Sequence, residues 1–205
     1  MARQQAAGRG RRLFPSALPA PYNLGMSLEH PKTILITGGS SGIGHALALA
    51  YAGHGVTLYL SGRDKDRVEA VAEECRARGA TAEGRVIDVT DADAMAAWIT
   101  EADGKTPLDL VIANAGITNS TSGLKDGPER TRRILSVNID GVVNTMLPAL
   151  AAMDARGRGQ AAIVSSIAGF RGLPTSSAYS ASKAAVKAWG EALRGERLAT
   201  GVRVN

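Results

Sequence analysis

The sequence predicts a doubly wound α/β domain: parallel strands in the order 3-2-1-4-5-6, helices on both faces, three layers in all. Three observations carry this. Short apolar β-branched runs alternate with Ala-rich or amphipathic helical segments along the chain. The first run, Thr33-Ile34-Leu35-Ile36-Thr37, empties directly into a glycine turn and then a helix. Aromatic residues are only 4% of the chain, so the core is built from Val, Ile, Leu and Ala, which suits strands buried on both faces.

At 205 residues the chain is one domain or a little more. It is 44% hydrophobic and 21% charged with 24 glycines, which is globular rather than fibrous or disordered. The net charge of +5 is unevenly spread. Residues 1–28 hold Arg3, Arg9, Arg11 and Arg12 and no acid, and what remains is nearly neutral. The charge balance therefore gives no argument for nucleic acid as a partner. The same segment carries Pro15, Pro19 and Pro21 and shows no helical or strand period, so residues 1–30 read as a disordered basic tail or an extended start. Arg11-Arg12-Leu13-Phe14 hints at a twin-arginine export signal, but prolines break the apolar region behind it. An organellar transit peptide is a second reading, and a start at Met26 is a third. The domain itself is placed at 31–205. The single cysteine, Cys75, makes no internal disulfide, so a reducing, cytoplasmic compartment is expected. No apolar run reaches the ~18 residues of a membrane span. No metal is expected.

The first strand leads into Gly38-Gly39-Ser40-Ser41-Gly42-Ile43-Gly44 and a helix over 45–52, closed by Gly53 and Gly55. Glycines allow the tight turn and a close backbone approach. The helix N-terminus offers free N–H groups and a positive dipole end to a pyrophosphate. Gly38, Ser40, Ser41, Gly42, Ile43 and Gly44 are thus candidate cofactor-binding residues; a glycine loop without function is the alternative. The spacing Thr37-Gly38-x-x-x-Gly42-x-Gly44 resembles the short-chain dehydrogenase/reductase family, in its compact single-domain branch, and the likeness runs over residues 32–205. It implies a Rossmann-type fold, a nicotinamide dinucleotide, a small alcohol or carbonyl substrate, and a homodimer or homotetramer.

The second strand, 56–60, ends in Ser61-Gly62-Arg63. A carboxylate here hydrogen-bonds a free ribose 2′-hydroxyl and repels a 2′-phosphate; an arginine does the reverse. No acid occupies the strand end and Arg63 follows, so NADP(H) is favoured. Asp64 comes next, so NAD(H) stays possible, and a solvated surface arginine is the alternative for Arg63. A charged helix over 65–78 presents Val68, Val71, Ala72 and Cys75 as its apolar stripe. The third strand, 82–87, delivers Asp88 and Val89 to the ligand edge. The resemblance implies that Asp88 contacts the adenine amino group. Its alternative is capping the helix over 91–100, for which Thr90 and Asp91 are better placed. The fourth strand, 108–113, runs into Asn114-Ala115-Gly116, the family's signature beneath the cofactor, where small residues let the backbone approach closely. Residues 118–127 form a polar loop beside the cleft.

A long helix starts at Pro128, with Ile134, Leu135, Val137, Val142, Val143, Met146 and Leu147 as its apolar surface. Pro148 should kink it or end a turn. Asn138 sits among apolar neighbours and is costly there unless satisfied. The resemblance implies that it holds a water linking the catalytic lysine to solvent; a satisfied core asparagine is the alternative. The fifth strand, 161–165, brings Ser165 and Ser166 to the ligand edge. Ser166 lies thirteen residues before Tyr179, the family's spacing for its catalytic serine. The last helix opens with Ser177 and places Tyr179 and Lys183 four apart on one face. An ammonium held near a phenol favours the phenolate, which lets a tyrosine exchange protons near neutral pH. The resemblance makes Asn138, Ser166, Tyr179 and Lys183 the catalytic set, with Tyr179 and Lys183 also on the cofactor.

Residues 201–205 begin a sixth strand. Family members normally continue through a Pro-Gly motif, a substrate-covering segment and a further strand, so the domain reads as truncated before its last strand with β-edge exposed. The expected function is an NAD(P)-dependent oxidoreductase interconverting an alcohol and a carbonyl. A non-catalytic dinucleotide sensor or scaffold, or an inactive truncated homologue, is the alternative. An epimerase or dehydratase is disfavoured by the glycine spacing.

Overall fold

Six parallel strands form one sheet in the order β3-β2-β1-β4-β5-β6. The structure is a computed structural model, and it describes residues 30–118 and 127–205. The basic tail up to residue 29 and residues 119–126 of the expected polar loop lie outside the described residues. The strands are β1 (Thr33–Ile36), β2 (Thr57–Gly62), β3 (Thr81–Val86), β4 (Leu110–Ala113), β5 (Gly159–Ile163) and β6 (Val202–Val204). The helices are α1 (Gly42–Tyr51), α2 (Lys65–Ala77), α3 (Ala92–Lys105), α4 (Pro128–Leu135), α5 (Gly141–Arg156) and α6 (Ser177–Glu196).

Strand alternation builds the two faces. Ile34 and Ile36 of β1 pack with Leu58, Leu60, Ala48 and the Val68, Val71, Ala72, Cys75 stripe of α2. Leu35 points the other way, into a core with Met95, Trp98, Met146, Leu150, Val186 and Leu193 from α3, α5 and α6. Each fully buried Leu or Ile contributes roughly 1.5–3 kcal/mol. β1 lies between β2 and β4, with Ile34 opposite both Leu58 and Leu110. The crossing direction reverses between β1 and β4, which opens a crevice at the carboxyl ends of the strands.

Local chemistry sets most element ends. Asp64 caps α2, its carboxylate accepting from Arg67 N at 3.1 Å. Asp91, not Asp88, caps α3, accepting from Ala94 N at 3.0 Å. Helix α3 runs past the expected Thr100 to Lys105, because Ala102 on its extra turn is buried in the core; Pro107 follows shortly after its end.

The long helix departs from expectation. It holds a π turn, Ser136–Asp140, between α4 and α5. Pro148 sits inside α5, and the helix continues to Arg156. Met146, Ala149, Leu150 and Met153 are buried on either side of Pro148, and that packing carries the helix through it. Leu147, expected on the apolar surface, is 55% exposed instead. Among the described residues, Pro128–Arg156 is long and apolar enough to cross a bilayer by length and composition alone. Half of its most apolar window is buried, as befits a helix packed on α3 and the sheet.

Candidate active site

A cavity of about 410 Å³ runs along the crevice. Of the sixteen candidate residues, it is lined by all but Gly44, Asn138 and Ser166. Its walls come from the turn after β1, the ends of β2, β3 and β4, and the start of α6.

The glycine turn is locked to the turn after β4. Asn114 Nδ2 donates to Thr37 O at 3.0 Å and to Gly38 O at 3.2 Å. The backbone N–H groups of Asn114 and Ala115 both donate to Thr37 Oγ1 at 3.2 Å. Gly38 and Gly42 have φ of +65° and +54°, which glycine adopts without strain. Gly44 serves packing instead: a Cβ there would lie 2.2 Å from Gly38 O. Ser41 stands at the N-cap of α1, but its side chain makes no capping bond, so the first N–H groups of α1 stay open to a phosphate.

At the ends of β2 and β3 the cavity meets charge. Arg63 is exposed and makes no ion pair among the described residues. The Asp64 carboxylate is engaged in capping α2. Asp88 Oδ1 accepts from Thr90 N at 3.0 Å and Thr90 Oγ1 at 2.8 Å; its Oδ2 accepts from Arg133 Nη2 at 2.6 Å. Burial opposes ionisation of Asp88, but the Thr90 N–H, the Arg133 guanidinium and the Thr90 hydroxyl outweigh it and lower the carboxyl to about 2.

Ser61, Arg67 and Arg133 are among the lining residues that were not site candidates. Ser61 is 1% exposed, and its hydroxyl has no partner among the described residues. Arg67 joins Arg63 at the mouth, and Arg133 reaches in from α4. The four-residue spacing of Arg63 and Arg67 was the available signal. Ser61 and Arg133 had none, since a strand-end serine and a helix-surface arginine are commonplace.

At the other end, Lys183 is 4% exposed and donates to Val164 O at 2.7 Å. Its ammonium lies 5.9 Å from the centre of the Tyr179 ring. Burial pushes the Lys183 pKa down. Asn138, fully buried in the π turn, is satisfied by its own network. Its Oδ1 accepts from Ile117 N at 2.8 Å; its Nδ2 donates to Ile117 O at 2.9 Å and Ser182 Oγ at 3.0 Å. Ser182 Oγ in turn donates to Tyr179 O at 2.7 Å. Gly116 makes room here: a Cβ on it would meet Asn138 Oδ1 at 3.3 Å and Lys183 Nζ at 3.5 Å. Ser165 lines the cavity and donates to Lys183 O at 2.9 Å. Ser166 lies one residue beyond the lining, its Oγ accepting from Ala168 N at 3.2 Å in the short 3-10 turn Ile167–Gly169.

Known proteins give the same picture. A model of the family described as short chain dehydrogenase matches residues 32–205. An uncharacterised oxidoreductase of Myxococcus xanthus is 43% identical over 174 residues, 84% of this chain and 69% of its own length. A metagenomic short-chain oxidoreductase solved in complex with NADP superposes with a TM-score of 0.79 at 29% identity, covering 85% of this chain and 80% of that one. A 3-oxoacyl-[acyl-carrier protein] reductase from Brucella melitensis, solved with bound NAD, gives a TM-score of 0.76 at 31% identity over 85% and 68% of the two chains. With the match of sequence, sheet order and crevice together, this chain belongs to the short-chain dehydrogenase family.

Proposed function

We propose that the chain is an NAD(P)-dependent oxidoreductase that interconverts an alcohol and a carbonyl, with NADP(H) favoured. The observation that carries this reading is Lys183. A lysine kept for structure ordinarily leaves its ammonium in water. This one buries its ammonium in the cavity wall, beside a tyrosine, with one carbonyl as partner. An ammonium has three donors, so two remain for a ligand and the tyrosine side.

The cavity suits a dinucleotide. Its turn has no side chains in the way at Gly38 and Gly42, and the α1 N–H groups face a pyrophosphate. Arg63 and Arg67 at its mouth suit a ribose bearing a 2′-phosphate. The NADP bound to the metagenomic relative supports that choice, and the NAD of the Brucella relative keeps the other open. When bound, the nicotinamide supplies or takes the hydride.

The chain's own residues handle the proton. Tyr179 gives its hydroxyl proton to a carbonyl oxygen in reduction and takes one from an alcohol in oxidation. The Lys183 charge stabilises the phenolate left behind. Ser166 keeps its O–H free to donate to the substrate oxygen, since its Oγ acts only as acceptor towards Ala168 N. Asn138 supports the relay from behind, fixing Ile117 and, through Ser182, the backbone of Tyr179.

The test is turnover of a panel of ketones, aldehydes and secondary alcohols with each cofactor, alongside calorimetric cofactor binding. Tyr179→Phe should bind cofactor like the wild type and lose turnover by ~10²–10⁴-fold. Wild-type turnover in Tyr179→Phe would overturn the assignment.

A further inference from the structure

We infer that Arg133 is a positioning residue of the dinucleotide site: it aims the Asp88 carboxylate at the adenine amino group and so sets the preference for an amino base over an oxo base. The inference rests on the reading of this cavity as a dinucleotide site with Asp88 at its adenine end.

Asp88 follows β3, while Arg133 belongs to α4, which arrives after β4. The pair bridges the end of the cavity, and both residues line it. Arg133 Nη2 donates to Asp88 Oδ2 at 2.6 Å, and Nη1 to Thr90 Oγ1 at 3.4 Å. Thr90 meanwhile gives two hydrogen bonds to Oδ1, at 3.0 Å and 2.8 Å. Each carboxylate oxygen accepts about two hydrogen bonds. Oδ1 is therefore filled, and the free acceptor position is on Oδ2, the oxygen that Arg133 holds. The torsion that turns a carboxylate about its Cβ is broad and soft. The two oxygens turn together, and Arg133 acts on both: it holds Oδ2 directly and Oδ1 through the Thr90 hydroxyl, so without it only the Thr90 N–H bond to Oδ1 is left unaltered.

An amino group donates to that oxygen. The oxo group of hypoxanthine offers only an acceptor, which a carboxylate repels. Arg133 is not the sole mooring of the long helix to this edge: Asn144 Nδ2 donates to Val89 O at 2.9 Å one turn into α5. Loss of the Arg133 side chain therefore leaves that helix attached.

The experiment is calorimetric titration with NADPH and with its hypoxanthine analogue. The wild type should prefer the adenine form about tenfold or more. Arg133→Ala should shrink that ratio by roughly three- to tenfold, the worth of one misaligned hydrogen bond. In an Asp88→Asn background the same change should not alter the ratio further, because the two residues act as one unit. A wild type without base preference removes Asp88 from the adenine, and the inference with it, although NADPH binding itself stands. A wild-type preference that Arg133→Ala keeps, with both ligands weakened equally, makes Arg133 a plain brace and overturns the inference. Arg133→Lys retains charge but loses the planar fork. It supplies the same ratio if the alanine variant does not fold.

Discussion

Replacing Gly44 by alanine tests how the glycine turn is built. A Cβ at Gly44 would lie 2.2 Å from Gly38 O, 2.8 Å from Gly38 C and 2.6 Å from Asn114 Nδ2. Two of those atoms are backbone, and the third is the amide that ties the β1 turn to the β4 turn. The methyl must therefore push the two turns apart. That forfeits two hydrogen bonds, about 1 kcal/mol each, and adds ~1–3 kcal/mol of overpacking. The sum is ~3–5 kcal/mol, and for a chain of this size each kcal/mol moves Tm by ~2–4 °C, so Tm should fall by ~6–20 °C. Gly42→Ala is the control. Nothing lies within 4 Å of its Cβ position, and only its φ of +54° opposes the change, at ~1–2 kcal/mol. Gly42 lines the cavity and Gly44 does not. A purely ligand-facing turn would thus make Gly42 the more sensitive site in binding and leave stability alike in both. Scanning calorimetry without ligand separates the cases. A Tm loss in Gly42→Ala equal to or above that in Gly44→Ala would refute the packing argument.

The Asp88 carboxyl, lowered to about 2 in the fold against ~3.9 in the unfolded chain, stabilises the fold above the unfolded value. That contribution is lost as pH falls through the folded one. Asp88→Asn should therefore be less stable than wild type near neutral pH and converge with it in acid, by urea titration across that range; the gap is modest because the pair is over a third exposed. Arg63→Ala should abolish tighter binding of NADPH than of NADH, and equal affinities already in the wild type would contradict the role given to Arg63. Ser61→Ala should hold or raise Tm by scanning calorimetry, since the buried hydroxyl has no partner among the described residues; a clear fall in Tm would contradict this. Lys183→Ala should reduce both cofactor affinity and turnover, and a variant with unchanged affinity would confine Lys183 to the proton step.

Legibility followed how local each feature is. The β1–turn–α1 unit could be read because strand, glycines and helix are contiguous, and their order alone implies the crevice. The Tyr179–Lys183 pair could be read because helical spacing puts both on one face. The π turn could not. It depends on Asn138 being drawn to the Ile117 backbone, twenty-one residues away, and no propensity in Ser136–Asp140 announces that. Arg133 was unreadable for the same reason, its partner Asp88 being forty-five residues back. Pro148 did not show how far the helix runs, because buried contacts on either side carry it to Arg156. Spacing singled out Ser166, while the cavity lining includes Ser165. Ser165 is held by the Lys183 carbonyl of α6 and Ser166 by the 3-10 turn after β5, and spacing encodes neither contact.

The two ends of the site belong to different layers of the molecule, and this decides how they fail. The glycine turn is the exit of β1 into α1, and Ile34, Ile36 and Ala48 around it belong to the core face shared with α2. Tyr179, Lys183 and Asn138 sit on α6 and in the π turn, in the layer packed on the opposite face. The Asn114–Gly116 turn touches both, bonding Thr37 and Gly38 on one side and bordering Asn138 and Lys183 on the other. A change confined to α6 therefore leaves the glycine turn supported. A change at Asn114 has no such shelter: it unpins the glycine turn and shifts Gly116 against the buried lysine at once. On the proposed reading, Tyr179→Phe should therefore spare cofactor binding while a substitution at Asn114 should impair binding and turnover together, as calorimetry and turnover would read.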